Sequence, residues 1–267
     1  MKNGTKTSSD FNDANRGNYC MKISLIGLGA IGSFIAGRVR KDKSLELAAV
    51  LDMDKQKLVA FGRKTAFSSF DKFMKVKTGL VVEAASAQAV KKLGPQVLKK
   101  CDLLIMSVAA FADKSFERKI NVVAKKHGTK IYIPSGAIIG IDGILAVKGL
   151  LDEVEIETRK PPRGFGRTDK KETVLFQGPA RKGVPLYPQN VNVAATLSLA
   201  GIGFDRTRLR IVSDPKAKSN QHIIKAKGSF GEFFIQVRAL PSKNPKTSSL
   251  AAMSAFAKVK EIQDSRQ

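Results

Sequence analysis

The sequence predicts an α/β fold with a doubly wound parallel sheet, followed by a second α+β domain whose sheet is mainly antiparallel. Three observations carry this expectation. A G-x-G-x-x-G spacing follows a short apolar run near the start. Apolar runs then alternate with helical patterns as far as Ile133. Beyond Pro134, strand-like runs succeed one another with few helices between them, which is the mark of antiparallel pairing.

The glycine stretch runs from Lys22 to Gly32, KISLIGLGAIG. Ile23 to Ile26 reads as a strand. Gly27, Gly29 and Gly32 follow, and Phe34, Ile35 and Val39 then recur at helical spacing. In a Rossmann unit the first glycine permits the tight turn. The second lets backbone approach a pyrophosphate, and the third allows helix and strand to pack closely. The helix start faces the phosphates with unpaired amides and the positive end of its dipole. Leu47 to Leu51 gives a second strand and ends at Asp52, twenty residues beyond Gly32. A carboxylate at that strand tip accepts hydrogen bonds from an adenosine ribose and disfavours a 2′-phosphate. This favours NAD, while nearby Lys55 and Lys57 leave NADP open.

Further along, Asp54 to Gly62 reads as a short helix. Thr78 to Ala85 reads as a buried strand, with Ser86 capping the next helix and Gly94-Pro95 breaking or kinking it. Asp102 to Val108 is a continuous apolar run, as expected of a parallel strand covered on both faces. A helix from Asp113 to His127 stops at Gly128, and Lys130 to Ile133 is another strand. Ligands lie beyond the carboxyl ends of such strands. The small residues there, including Ala84, Ser86, Ala110 and Ala137, suit a cofactor lying across the sheet edge.

In the second domain, a helix is expected from Ala137 to Gly149. Strands are expected at Val154–Arg159, Thr173–Phe176, Leu209–Val212, His222–Lys227 and Phe233–Val237, with a helix from Val193 to Ile202. The last helix, Asn244 to Ile262, is capped at Thr247 or Ser248 and returns to the first domain. The domain limits are therefore 1–20, a disordered extension, then 21–133, 134–243 and 244–267.

Composition bounds the function. The 267 residues, 43% hydrophobic, suit one large or two modest domains with a real core. No apolar run spans a bilayer, and the first twenty residues lack a signal-peptide centre. Cys20 and Cys101 read as reduced thiols of a cytoplasmic protein. His127 and His222 are the only histidines, so no Cys/His zinc site and no other metal is expected. The net charge of +24 is spread along the chain without aromatic interleaving. It reads mostly as a solvated basic surface, with steering of anions second and specific nucleic-acid recognition not expected.

Two candidates exist for a base that works near neutral pH. His127 sits at an expected helix end, where a solvated role is ordinary. His222 follows Asp214-Pro215 and Ser219-Asn220-Gln221 and enters a strand of the second domain.

Five segments add a resemblance: PSGAIIGIDG (134–143), ETRKPP (157–162), YPQNVNVAAT (187–196), DPKAKSNQH (214–222) and NPKTSSLAAMSA (244–255). Together they resemble the L-aspartate dehydrogenase family. The resemblance spans Met21 to Ile262. It implies a Rossmann domain plus a catalytic and dimerisation domain, with NAD or NADP as cofactor. It implies L-aspartate as substrate, oxidised to iminoaspartate, which yields oxaloacetate and ammonia or passes to a quinolinate synthase in NAD biosynthesis. It makes His222 the active-site residue, and Ala137, Asn192, Ala30 and Ile31 cofactor contacts beside Gly27, Gly29, Gly32 and Asp52. Ser135, Asn220 and Lys160 are candidates to hold substrate groups. For Lys160, beside two prolines, an exposed strand end is the competing reading. The segment Arg163-Gly164-Phe165-Gly166 departs from the family pattern and is basic. A dinucleotide-sensing regulator with a nucleic-acid-binding surface is the alternative function. It predicts salt-sensitive binding without turnover.

Overall fold

The computed structural model describes residues 20–240 and 248–266. The expected extension before Cys20 and the stretch from Asn244 to Thr247 lie outside them.

The first unit takes its elements in strict alternation: β1 (Met21–Ile26), α1 (Ala30–Val39), β2 (Leu45–Leu51), α2 (Lys55–Leu58), β3 (Ala66–Phe67), α3 (Phe70–Phe73), β4 (Leu80–Glu83), α4 (Ala87–Val97), β5 (Asp102–Ile105), α5 (Lys114–His127) and β6 (Ile131–Tyr132). The strands form a six-stranded sheet in the order β3-β2-β1-β4-β5-β6, and every pair is parallel. The order turns back between β1 and β4, so a crevice opens beyond the carboxyl ends there. Ile23 and Leu25 of β1, Leu80 to Val82 of β4 and Leu103 to Ile105 of β5 are all fully buried. Helices cover both faces, and continuous apolar strands are the consequence.

The second unit continues with α6 (Ile141–Ala146), β7 (Leu151–Lys160), β8 (Thr173–Pro179), α7 (Ala180–Gly183), α8 (Asn192–Ala200), β9 (Arg208–Ser213), β10 (Asn220–Gly228) and β11 (Gly231–Ala239). Its five-stranded sheet has the order β11-β10-β7-β9-β8. Pairing is antiparallel at β11–β10, β10–β7 and β9–β8, but β7 and β9 run parallel. The chain leaves β7, forms β8, α7 and α8, and only then returns to β7's other side as β9. A long connection of this kind allows the parallel pair.

The C-terminal helix α9 (Ser249–Asp264) returns to the first unit. Ala255, Val259 and Ile262 share a core with Ile23, Leu25 and Ile35. Lys260 pairs with Asp42 at 3.2 Å, and Arg266 bonds Asp102 and the Gly79 carbonyl. Ser248 caps the helix, accepting from the Leu250 amide at 3.1 Å.

Several expectations give way. Gly94-Pro95 does not break α4, which runs through to Val97. Both residues face the core beside Val90, and burial there offsets the one helical hydrogen bond that proline removes. The helix expected over 137–149 shrinks to α6, because Gly136 and Gly140 adopt φ of +70° and +76° and turn the chain before Ile141. The apolar run after Asp102 leaves the sheet at Ile105, and 108–112 coils into a 3-10 turn. The short helix after Asp54 stops at Leu58, well before Gly62. β3 and α3 fall in a stretch for which the sequence suggested no element.

Candidate functional site

The turn after β1 fits a dinucleotide through its backbone. Gly27 has φ +92°, and a Cβ there would lie 2.8 Å from Ala85 atoms. A Cβ on Gly32 would lie 1.9 Å from the Gly27 carbonyl oxygen. These two positions exclude every larger residue. Gly29 stands at the N-terminus of α1 with nothing within 4 Å of a Cβ placed on it, so that side is open to a ligand. No side chain caps this ten-residue helix, which leaves its first amides for an anion. Ala30 is exposed on its first turn and Ile31 is half-buried facing the cleft.

Asp52 stands at the tip of β2, as its position predicted. Its Oδ2 accepts from the Leu28 amide at 2.6 Å and its Oδ1 from the Asp54 amide at 2.8 Å. The carboxylate is thereby fixed beside the glycine turn. Lys57 lies 4.0 Å away.

The opposite wall comes from the second unit, and strand register explains it. β7 and β10 are antiparallel with His222 directly across from Thr158. Side chains two apart share a face of a sheet, so Thr158 and Lys160 of β7 and Asn220 and His222 of β10 project together. All four are buried, His222 to 2% exposure and Lys160 to 3%. The His222 Nδ1 lies 3.1 Å from the Thr158 Oγ1, and the Lys160 Nζ donates to the Asn190 Oδ1 at 3.1 Å. The Phe165 ring lies under the same ammonium, 5.9 Å from its centroid. Lys160 is therefore no exposed strand end. Phe165, from the basic segment 163–166, packs beside it.

Electrostatics follow from burial. Desolvation pushes the Lys160 ammonium down to about 7. Desolvation and then the Lys160 charge push the His222 imidazole down to about 3.

One cleft is lined by residues of both units, although Gly27, Gly29, Gly32 and Asp52 are not among them. Ile31, Met106 and Val108 line it from the first unit, and Ala137, Lys160, Asn192, Asn220 and His222 from the second. Ser248, the cap of α9, and Ala251 in its first turn also reach it. Asn192 spans the two units, since its Oδ1 accepts from the Ala109 amide at 2.9 Å. Ser135 is half-buried between Pro134 and Gly136, which line the cleft. Ala84 is half-buried just after β4, and Ala110 is buried within the 3-10 turn that also presents Val108. Ser86 is exposed and caps α4, accepting from the Ala89 amide at 3.1 Å. His127 is exposed at the end of α5, away from the cleft.

Sequence reasoning missed Thr158, Asn190 and Gln189. Thr158 carried a signal in hindsight, two residues before Lys160 on a strand. Asn190 carried none beyond its place in the YPQNVN run.

The comparisons with known proteins agree with this architecture. Residues 27–134 match the model described as homoserine dehydrogenase, NAD binding domain, and residues 142–262 match aspartate dehydrogenase, C-terminal. The L-aspartate dehydrogenase of Methanosarcina acetivorans is 42% identical over 262 residues, covering 91% of this chain and 97% of that protein. The chain belongs to the L-aspartate dehydrogenase family. The family member of Archaeoglobus fulgidus is 41% identical over 238 residues, covering 88% of this chain and 94% of its own length. The crystal structure of aspartate dehydrogenase from Thermotoga maritima superposes with a TM-score of 0.75 at 27% identity, covering 92% of this chain and 97% of that one. The first unit is accordingly a nicotinamide-dinucleotide domain of an oxidoreductase, and the second is the family's C-terminal domain. No helix among the described residues is long and apolar enough to cross a membrane.

Proposed function

We propose that this chain oxidises L-aspartate at Cα with NAD or NADP, giving iminoaspartate and the reduced dinucleotide. Water then converts the imine to oxaloacetate and ammonia. The observation that carries this reading is the convergence of His222, Lys160 and Asn220 on a cleft that Ile31 of α1, just after the glycine turn, and Met106 and Val108 line from the first unit.

The residues present fit the cofactor. Gly27 to Gly32 would hold its pyrophosphate, and Asp52 its adenosine ribose. Asn192 and Ala137 would line the end nearer the second domain. When bound, the nicotinamide accepts a hydride.

This chain's own residues supply charge and proton transfer. Aspartate arrives as an α-ammonium dicarboxylate, and its nitrogen must shed a proton before its lone pair can form the imine. Lys160 meets one carboxylate, and Asn190 holds the ammonium in place. The incoming negative charge raises both Lys160 and His222 from their depressed values. In the tautomer in which Nδ1–H donates to the Thr158 Oγ1, the Nε2 lone pair of His222 takes the proton. Once that proton has passed to solvent, the neutral imidazole can accept a second proton from the water that attacks the imine. Ser135 and Asn220 orient the second carboxylate or the nicotinamide carboxamide.

Asp52 favours NAD, and Lys57 beside it leaves room for NADP. We further read the protein as a cytoplasmic homodimer that supplies NAD biosynthesis, with iminoaspartate handed to a quinolinate synthase. The domain limits of 21–133, 134–243 and 244–267 belong to the same reading, supported by the return of α9 to the first sheet.

The test follows absorbance of the reduced nicotinamide. L-aspartate is offered with NAD or NADP, beside D-aspartate, L-glutamate and L-homoserine. Reduction with L-aspartate alone supports the reading. Reduction with L-homoserine or L-glutamate instead contradicts the dicarboxylate site.

A further inference from the structure

One buried acid plays no part in the chemistry above. Glu83 ends β4 at 1% exposure, deep beneath the switch point of the first sheet. Its Oε1 accepts from the Ala85 amide at 2.8 Å, the Ser86 amide at 3.0 Å and the Ser107 hydroxyl at 2.8 Å. Its Oε2 accepts from the Ser107 amide at 3.1 Å. All four donors are neutral, and burial pushes the carboxyl group up from its ordinary value while these hydrogen bonds pull it back. A buried acid in this setting needs a full set of donors, because an unmet lone pair or an unpaired charge is expensive there.

The donors belong to two loops, one after β4 and one after β5. Both loops touch the places where a dinucleotide has to lie. The loop from Ala84 to Ser86 packs against Gly27 so closely that no Cβ fits between them. The loop at Ser107 leads directly into Val108, which lines the cleft, and into Ala109, whose amide donates to Asn192. A single carboxylate therefore sets the spacing between the glycine turn, the β5 loop and the start of α8.

We propose that Glu83 is a positioning residue of the dinucleotide site, acting through the two loops that it ties together at the carboxyl ends of β4 and β5. It does not touch the ligand. It rests on the cofactor part of the function proposed above, and not on the identity of the amino-acid substrate.

Glu83→Gln keeps the shape but turns one acceptor into an amide donor that faces other donors. Ser107→Ala removes one donor and leaves the acid. Binding is read directly by fluorescence titration of NADH and NADPH, with urea unfolding and the two KM values measured alongside. Glu83→Gln is expected to weaken dinucleotide binding by about 10-fold, as placing an amide donor against the Ser107 amide and loosening both loops implies. The rise in KM for the dinucleotide should exceed any rise for the amino acid. Ser107→Ala should weaken binding by about threefold to tenfold, in line with one lost hydrogen bond. Lower stability with dinucleotide Kd within about twofold of the parent in both variants would overturn the proposal, since a purely structural role moves only the stability. Should Glu83→Gln fail to fold, the Kd of Ser107→Ala decides alone, and an unchanged value overturns it. A parent protein that binds neither dinucleotide overturns the cofactor reading itself. A parent that binds dinucleotide but leaves L-aspartate untouched overturns only the substrate, and the Kd series still judges Glu83.

Discussion

The turn from Gly27 to Gly32 is made of backbone, whereas the wall around His222 is made of side chains. At the turn, specificity comes from what is missing: a Cβ would strike Ala85 or the Gly27 carbonyl. At the wall, it comes from four polar side chains brought onto one face by the pairing of β7 with β10. A backbone site depends on local geometry, so substitutions there should disturb binding and folding together. A side-chain site rests on a sheet that stands without it, so substitutions there should separate chemistry from stability.

His222→Ala should show the largest effect. Loss of a general base lowers kcat by about 100- to 10,000-fold, while the Kd for NADH stays within about twofold of the parent protein. A similar loss of dinucleotide binding would mean that the two walls are not separable.

Lys160→Met follows. The KM for L-aspartate should rise by about 10- to 100-fold, as expected when a charged partner of a carboxylate is removed. Its stability should move the other way, and with a definite pH dependence. Burial lowers this lysine from 10.5 to about 7 in the folded chain. Below that value both folded and unfolded states hold the proton, and the full burial penalty applies. Between it and 10.5 the unfolded state binds a proton that the folded state has lost, so stability rises with pH. Lys160→Met should therefore be the more stable protein at pH 6, and the parent should close the gap as the pH climbs toward 10. Urea midpoints of the pair across pH check the sign.

Gly32→Ala tests the backbone side. Overpacking of this kind costs about 1–3 kcal/mol, and the added methyl must displace the Gly27 carbonyl. Thermal stability and NADH affinity should fall together. Ser86→Ala should be the mildest, with about 1 kcal/mol of stability lost with the α4 cap, read by urea unfolding.

The contrast between the two walls also explains what the sequence made legible. Glycine spacing, the strand tip at Asp52 and the caps at Ser86 and Ser248 are local features, and each can be read within a few residues. His222 and Lys160 are separated by sixty-odd positions, and only register brings them together. Their residue types and a family resemblance pointed to them, but their burial and the pairing with Thr158 and Asn190 did not follow from spacing. The failed helix over 137–149 and the unbroken α4 are tertiary outcomes. In the first, two left-handed glycines turn the chain, and in the second, core packing overrides proline. The parallel β7–β9 pair was hidden for the same reason, because the strand runs in the sequence do not reveal their order in the sheet.

The central claim is that the two walls act on one pair of atoms, the Cα of L-aspartate and the nicotinamide ring. L-aspartate deuterated at Cα, incubated with NAD or NADP, tests it most directly. NMR of the reduced dinucleotide should show deuterium at the ring carbon that receives the hydride, with oxaloacetate and ammonia formed in equal amounts. Reduction without deuterium in the ring, or tight dinucleotide binding with no reduction at all, would contradict the account.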